Sequence, residues 1–177
     1  MPSSSCTYRV VNDNLVRGTY LQAFIKNGSD FFVTMIEIYK DGMIECWGLG
    51  DFASFKQKIA TGGVRTRLPK GAQVSMMLSM LHFTVTDVVG GVDELEFIKE
   101  VADELERLND RPTSAQLCRA SLLAYQQDPT TRNLQNLRVT YENVPAHMRR
   151  FLGDMDNKDS EYRQALGLSQ PSSMTVP

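Results

Sequence analysis

FFVTMIEIYKDGMIECWG, residues 31–48, decides the fold reading. From Phe31 to Tyr39 the chain is rich in β-branched and aromatic residues, which fit a pleated, half-buried surface. Asp41-Gly42 suits the positive φ angles of a tight hairpin turn, and MIECWG (43–48) then returns antiparallel. Alternation puts Ile44 and Cys46 on one face of that return and Met43, Glu45 and Trp47 on the other. Upstream, TYRVV (7–11) and LVRGTYLQAFI (15–25) have the same character, with turns at 12–14 and at Asn27-Gly28. Downstream, Asp51 is placed to cap a short helix whose Phe52, Phe55 and Ile59 share a face, with Lys56 and Lys58 turned outward. Gly62-Gly63 ends it, and VRTRL (64–68) and AQVSMMLSMLHFTVTDV (72–88) read as further strands, the last long enough to hold a bulge or bend.

From Asp93 the periodicity becomes helical. Leu95, Ile98, Ala102, Leu105 and Leu108 form a stripe in an otherwise acidic segment. Thr113-x-x-Gln116 predicts a capping box for a second helix carrying Leu117, Ser121 and Ala124. Asp128-Pro129 predicts the start of a third, bearing Leu134, Leu137 and Tyr141 and stopping near Val144-Pro145. A short fourth piece holds Met148, Phe151 and Leu152. Strands first and helices after predict an α+β fold: an N-terminal antiparallel sheet with one short inserted helix, followed by a C-terminal helical lobe packed on it. The expected division is 1–110, 111–168 and a flexible tail at 169–177, with the first two forming one compact unit.

Three runs carry a resemblance. IYKDGMIECWGLGDFASFKQKI (38–59), GGVRTRLPKGAQVSM (62–76) and YENVPAHMRRFLGDMDNKDSEYR (141–163) are similar to patterns of bacterial domains of unknown function, over about a third of the chain. The resemblance implies a bacterial α+β protein and brings with it no activity and no catalytic residue.

The 177 residues carry 19 Lys+Arg against 21 Asp+Glu, so nothing marks the chain as a general nucleic-acid binder. The N-terminus does not read as a signal peptide, and no apolar run approaches membrane-spanning length, which predicts a cytoplasmic protein with no membrane partner. Cys6, Cys46 and Cys118 are widely spaced and odd in number, so free thiols are expected rather than a disulfide framework.

GDMDNKDSEYR (153–163) invites a metal reading. Counted as a calcium loop from Asp154, it fails at Lys158, Asp159 and Ala165. The acids suit a helix N-terminus instead, with Asp156 as cap and Asp159 three positions on. Arg138, His147, Arg149 and Arg150 form a candidate anion site, since guanidinium forks pair with phosphate or carboxylate. The alternative is that they pair with Glu142, Asp154 or Asp156. A thiol enzyme would need Cys46 beside His82, but Cys46 shares its strand face with Ile44 and reads as core packing. P-loop, GxGxxG, GxSxG and HExxH patterns are absent, so no catalytic residue, metal or cofactor is expected. The charge of the 93–107 helix makes Glu96, Glu100, Asp103 and Glu104 candidates for binding a basic partner protein. Met76, Met77 and Met80 add adaptable apolar surface, suited to a partner or to a self-association edge of a homo-oligomer. The expected function is non-catalytic binding of a partner protein, with an immunity or defence role as the narrower form. The rivals are an enzyme built on Cys46/His82 or on the 147–159 cluster, and a nucleotide- or RNA-binding regulator using Arg138, Arg149 and Arg150.

Overall fold

The computed structural model describes residues 6–76, 81–87, 91–154 and 158–168. Met77, Met80, Asp156 and the 169–177 tail, singled out above, lie outside the described residues. The architecture is α+β, with strands first and helices after.

One long hairpin is the spine. β2 (Asn14–Asn27) and β3 (Asp30–Tyr39) pair from Gly18↔Tyr39 to Asn27↔Asp30, with Gly28 at φ +62° in the turn. Gly18 has a second role: a Cβ there would lie 2.7 Å from both the Ile38 carbonyl oxygen and the Tyr39 ring. β1 (Thr7–Val11) and β6 (Val64–Arg65) both flank β2. β4 (Ile44–Glu45) and β7 (Gln73–Met76) flank β3. β5 (Leu49–Gly50) adds to β4 and β8 (Leu81–Thr84) to β7, giving an eight-stranded sheet.

Three strand expectations need correction. In the 72–88 segment the described residues form two antiparallel strands, β7 and β8, rather than one bent strand. β7 runs parallel to β3, because the chain reaches it by a long crossover through α1 (Phe52–Ala60) and β6 instead of a tight turn. The return after Gly42 pairs only at Ile44–Glu45, since Trp47 (φ +51°) and Gly48 (φ +118°) bend it away. Positive φ in the 39–43 turn comes from Gly42 alone (+88°), because this turn spans more than two residues between paired Ile38 and Ile44.

Asp51 caps α1 by accepting from Ser54 N at 2.8 Å, and Phe55 and Ile59 are buried beneath it. In α2 (Glu94–Leu108), capped by Asp93, the buried residues are Phe97, Val101 and Leu108, while Leu95 is 69 % exposed. The stripe is rotated from the expected one because the Phe97 ring packs 6.2 Å from that of Phe55. These side chains join Ala23, Ile25, Ile36, Ile38 and Ile44 in the main core. A smaller cluster of Phe31, Leu68, Ala72 and Val74 holds the opposite sheet face.

α3 (Ser114–Gln127) has the expected Thr113–Gln116 capping box, but it buries Cys118 and Leu122 and leaves Leu117 exposed. α4 (Thr131–Asn143) begins two residues later than expected, because the Thr130 hydroxyl, not Asp128, accepts from Asn133 N. Leu137 and Tyr141 are its buried residues. A 3-10 turn (Ala146–Phe151) and α5 (Ser160–Ala165) follow. The chain divides into two compact units, Met1–Arg111 and Pro112–Pro177. The second has its own core of Cys118, Leu122, Leu137, Tyr141, Val144, Leu152, Tyr162 and Leu166.

Candidate functional site

Side chains alternate across a strand, and paired residues of neighbouring strands share a face. Leu21, Ala23 and Ile25 of β2 therefore lie with Ile36 and Ile38 of β3, on the face packed with α1 and α2. Followed along β2, that face passes through Thr19 and Arg17 to Leu15, then crosses the pairs Tyr8↔Arg17 and Val10↔Leu15 onto β1. There the cover ends: Tyr8 is 56 %, Val10 68 % and Leu15 70 % exposed. Asn12 and Asp13, both at positive φ, close the β1–β2 hairpin on Val11↔Asn14. The alternation of an antiparallel ladder then points the N–H and C=O groups of Tyr8 and Val10 away from β2. Among the described residues β1 has no second strand neighbour.

The other face at this end carries a polar cluster. Arg9 pairs with Asp41 and lies 5.2 Å over the Tyr39 ring. Tyr39 donates to Glu37, which also accepts from Thr7 Oγ1 at 3.4 Å. Burial and then this bond to the carboxylate push the Tyr39 phenol up to about 12.

The acids expected to meet a basic partner are already engaged within the protein. Glu96 accepts from Lys99 at 2.9 Å, and Glu104 is paired with Arg107. Glu100 and Asp103 also have interactions of their own. All four are half-buried, and Glu100 lines a largely apolar cavity of about 320 Å³ with Leu21, Phe24, Val33, Val92 and Phe97.

Cys46 is buried beside Lys58, whose ammonium donates to the Cys46 and Gly48 carbonyls (2.9 and 3.0 Å) and lies 3.4 Å from Sγ. Lys58 was expected to point outward; it instead ties α1 to the bent return strand. Burial pushes the Cys46 thiol up, with Lys58 opposing. His82 on β8 is hydrogen-bonded through Nδ1 to Ser75 at 2.8 Å.

In the helical unit the basic residues separate. Arg149 is held in place: Nε donates to the Val144 carbonyl at 3.1 Å, Nη2 to the Glu142 carbonyl at 3.2 Å, and the guanidinium lies 4.8 Å over the Tyr141 ring. It thereby satisfies carbonyls at the end of α4. Arg138 is exposed and has no acid partner among the described residues. Arg138 and Arg149 line a cavity of about 220 Å³ with Tyr141, Glu142, Leu166 and Leu168. His147 and Arg150 are not in its lining; Arg150 lies over the Phe151 ring at 4.8 Å.

Asp159 occupies the N-cap position of α5, but its side chain makes no capping bond. The carboxylate is buried and accepts from Tyr141 Oη at 2.6 Å, with Arg163 at 3.9 Å. The capping role read for Asp159 is therefore corrected: a buried phenol outcompetes the exposed amides of a short helix for it. Tyr141, held through its hydroxyl by Asp159, lines the cavity. Sequence reasoning placed Tyr141 only on a helix stripe and did not include Leu166 or Leu168; the pairing of Leu166 with the Tyr162 turn offered no charge signal to find them. No cluster of metal-ligating side chains occurs among the described residues, and no described helix is long and apolar enough to cross a membrane.

Two family models match the chain: Domain of unknown function (DUF7638) over residues 6–112 and Domain of unknown function (DUF7639) over residues 113–170. Neither the curated proteins nor the solved structures yield a match.

Proposed function

Since the chain belongs to the DUF7638 family, whose description assigns no activity, we propose that it acts by binding another protein rather than by catalysis. The reading rests on one observation: the apolar core face runs out past its helical cover at Tyr8, Val10 and Leu15, beside the edge of β1 that has no second strand neighbour among the described residues. An extended partner segment pairing with the outward groups of Tyr8 and Val10 would continue the sheet, and its own alternate apolar side chains would extend the covered face. Burying Val10 and Leu15 fully contributes about 2 kcal/mol each, before the cost of association. The surface offered is therefore the sheet end and not the acidic helix, whose Glu96, Glu100, Asp103 and Glu104 already have partners. A bacterial source, a cytoplasmic setting and an immunity or defence role belong to the same proposal. The bacterial source takes support from the resemblance of the 38–59, 62–76 and 141–163 runs, the cytoplasmic setting from three free cysteines, and the immunity or defence role from small size, an acidic helix face and the lack of catalytic motifs in the sequence.

Affinity purification from the source cells, run with wild type and with a Val10→Glu/Leu15→Glu variant of unchanged circular dichroism, tests the proposal. The expected outcome is a partner held by the wild type and lost by the variant. The same proteins held by both, or none by either, would refute it. A wild-type dimer that the double variant dissolves would reassign the edge to self-association.

A further inference from the structure

We propose that the helical unit carries a separate oxyanion site: the cavity between α4, the 3-10 turn and the end of α5 takes a small molecule with a carboxylate or phosphate group and a short apolar part. Two guanidiniums and one carboxylate line it, so its charge favours an anion. Arg149 is positioned before any ligand arrives. Its two carbonyl bonds and its stacking on Tyr141 hold the plane of the fork, and they leave its remaining N–H donors unused. The Tyr141 ring is fixed in turn by its hydroxyl bond to buried Asp159. A guanidinium that is already held loses little side-chain freedom on binding.

Arg138 supplies the mobile second cation. It stands one helical turn before Tyr141 and Glu142 on the same face of α4, exposed and with no acid partner among the described residues. Leu166 and Leu168 form the apolar wall. At about 220 Å³ the cavity is smaller than the roughly 300–1,000 Å³ of sites that enclose drug-sized ligands. That size admits a small acid or a single phosphate group and not a whole nucleotide, so the nucleotide reading narrows to its anionic end.

Titration of the full chain with inorganic phosphate and, separately, with butyrate tests this, at constant ionic strength and with backbone and Arg Nε–H resonances as the readout. Saturable shifts at residues 138–142 and 166–168 and at Arg149 Nε–H are expected for at least one probe. Phosphate alone would assign a phosphate ligand; butyrate alone or preferentially would assign a carboxylate whose chain uses the leucine wall. Arg138→Gln should weaken binding roughly tenfold or more, as expected for losing one charge-assisted contact, while Arg150→Gln leaves it unchanged. No saturable shift with either probe, an unaffected Arg138→Gln, or an equal loss in Arg150→Gln would overturn the assignment.

Discussion

Cys118 is completely buried among the helices, and burial pushes its thiol up to about 11. Cys46 is raised for the same first reason, while Cys6 is exposed. Thiolate is the reactive form, so a disulfide reagent at about pH 8 should modify one of the three cysteines quickly, Cys6, and the other two only at the rate of unfolding. A second fast thiol would contradict the packing of Cys46 or Cys118. The raised value also fixes a pH dependence. Folding favours the protonated thiol, so the contribution of Cys118 is complete below the ordinary thiol range and is lost as pH rises through about 11. Cys46 was legible in the sequence because it shares Ile44's strand parity. Cys118 was not, since the helix stripe was centred on Leu117, one position away, and only packing in the cluster with Leu137 and Tyr162 selects between adjacent apolar positions on this helix.

Local chemistry was clearest at element ends, where a side chain answers to its own backbone. The Thr113–Gln116 box is reciprocal: Gln116 N donates to Thr113 Oγ1 at 3.4 Å and Thr113 N to Gln116 Oε1 at 2.9 Å. Thr113→Ala should destabilise the helical unit by about 1 kcal/mol, read from the denaturant midpoint of its helical signal. An unchanged midpoint would mean that the box contributes nothing beyond solvation. Asp51, Gly28 and the Asn12-Asp13 turn were legible for the same local reason. The β3–β7 pairing was not, because no short-range signal specifies a strand partner some forty residues away. The candidate sites divide the same way. Arg138 and Arg149 stood out as charges, whereas the uncovered end at Val10 and Leu15 depends on where α1 and α2 stop covering the sheet.

At the scale of the whole molecule, each compact unit has its own hydrophobic cluster. Residues 6–111 expressed alone should therefore fold, with the cooperative unfolding and thiol protection of Cys46 that the full chain has. A non-cooperative fragment would show that its core is insufficient by itself. The single tryptophan falls within that fragment. Trp47 is half exposed, held at φ +51° with its ring 5.1 Å from that of Phe32. Its placement makes the protein optically asymmetric: red-edge excitation follows only the strand-bearing portion, while the tyrosines of the C-terminal helices are silent at that wavelength. A quencher or titrant that alters the emission colour has thus disturbed the surroundings of Phe32, and the fluorescence lifetime becomes a built-in gauge of that end of the chain.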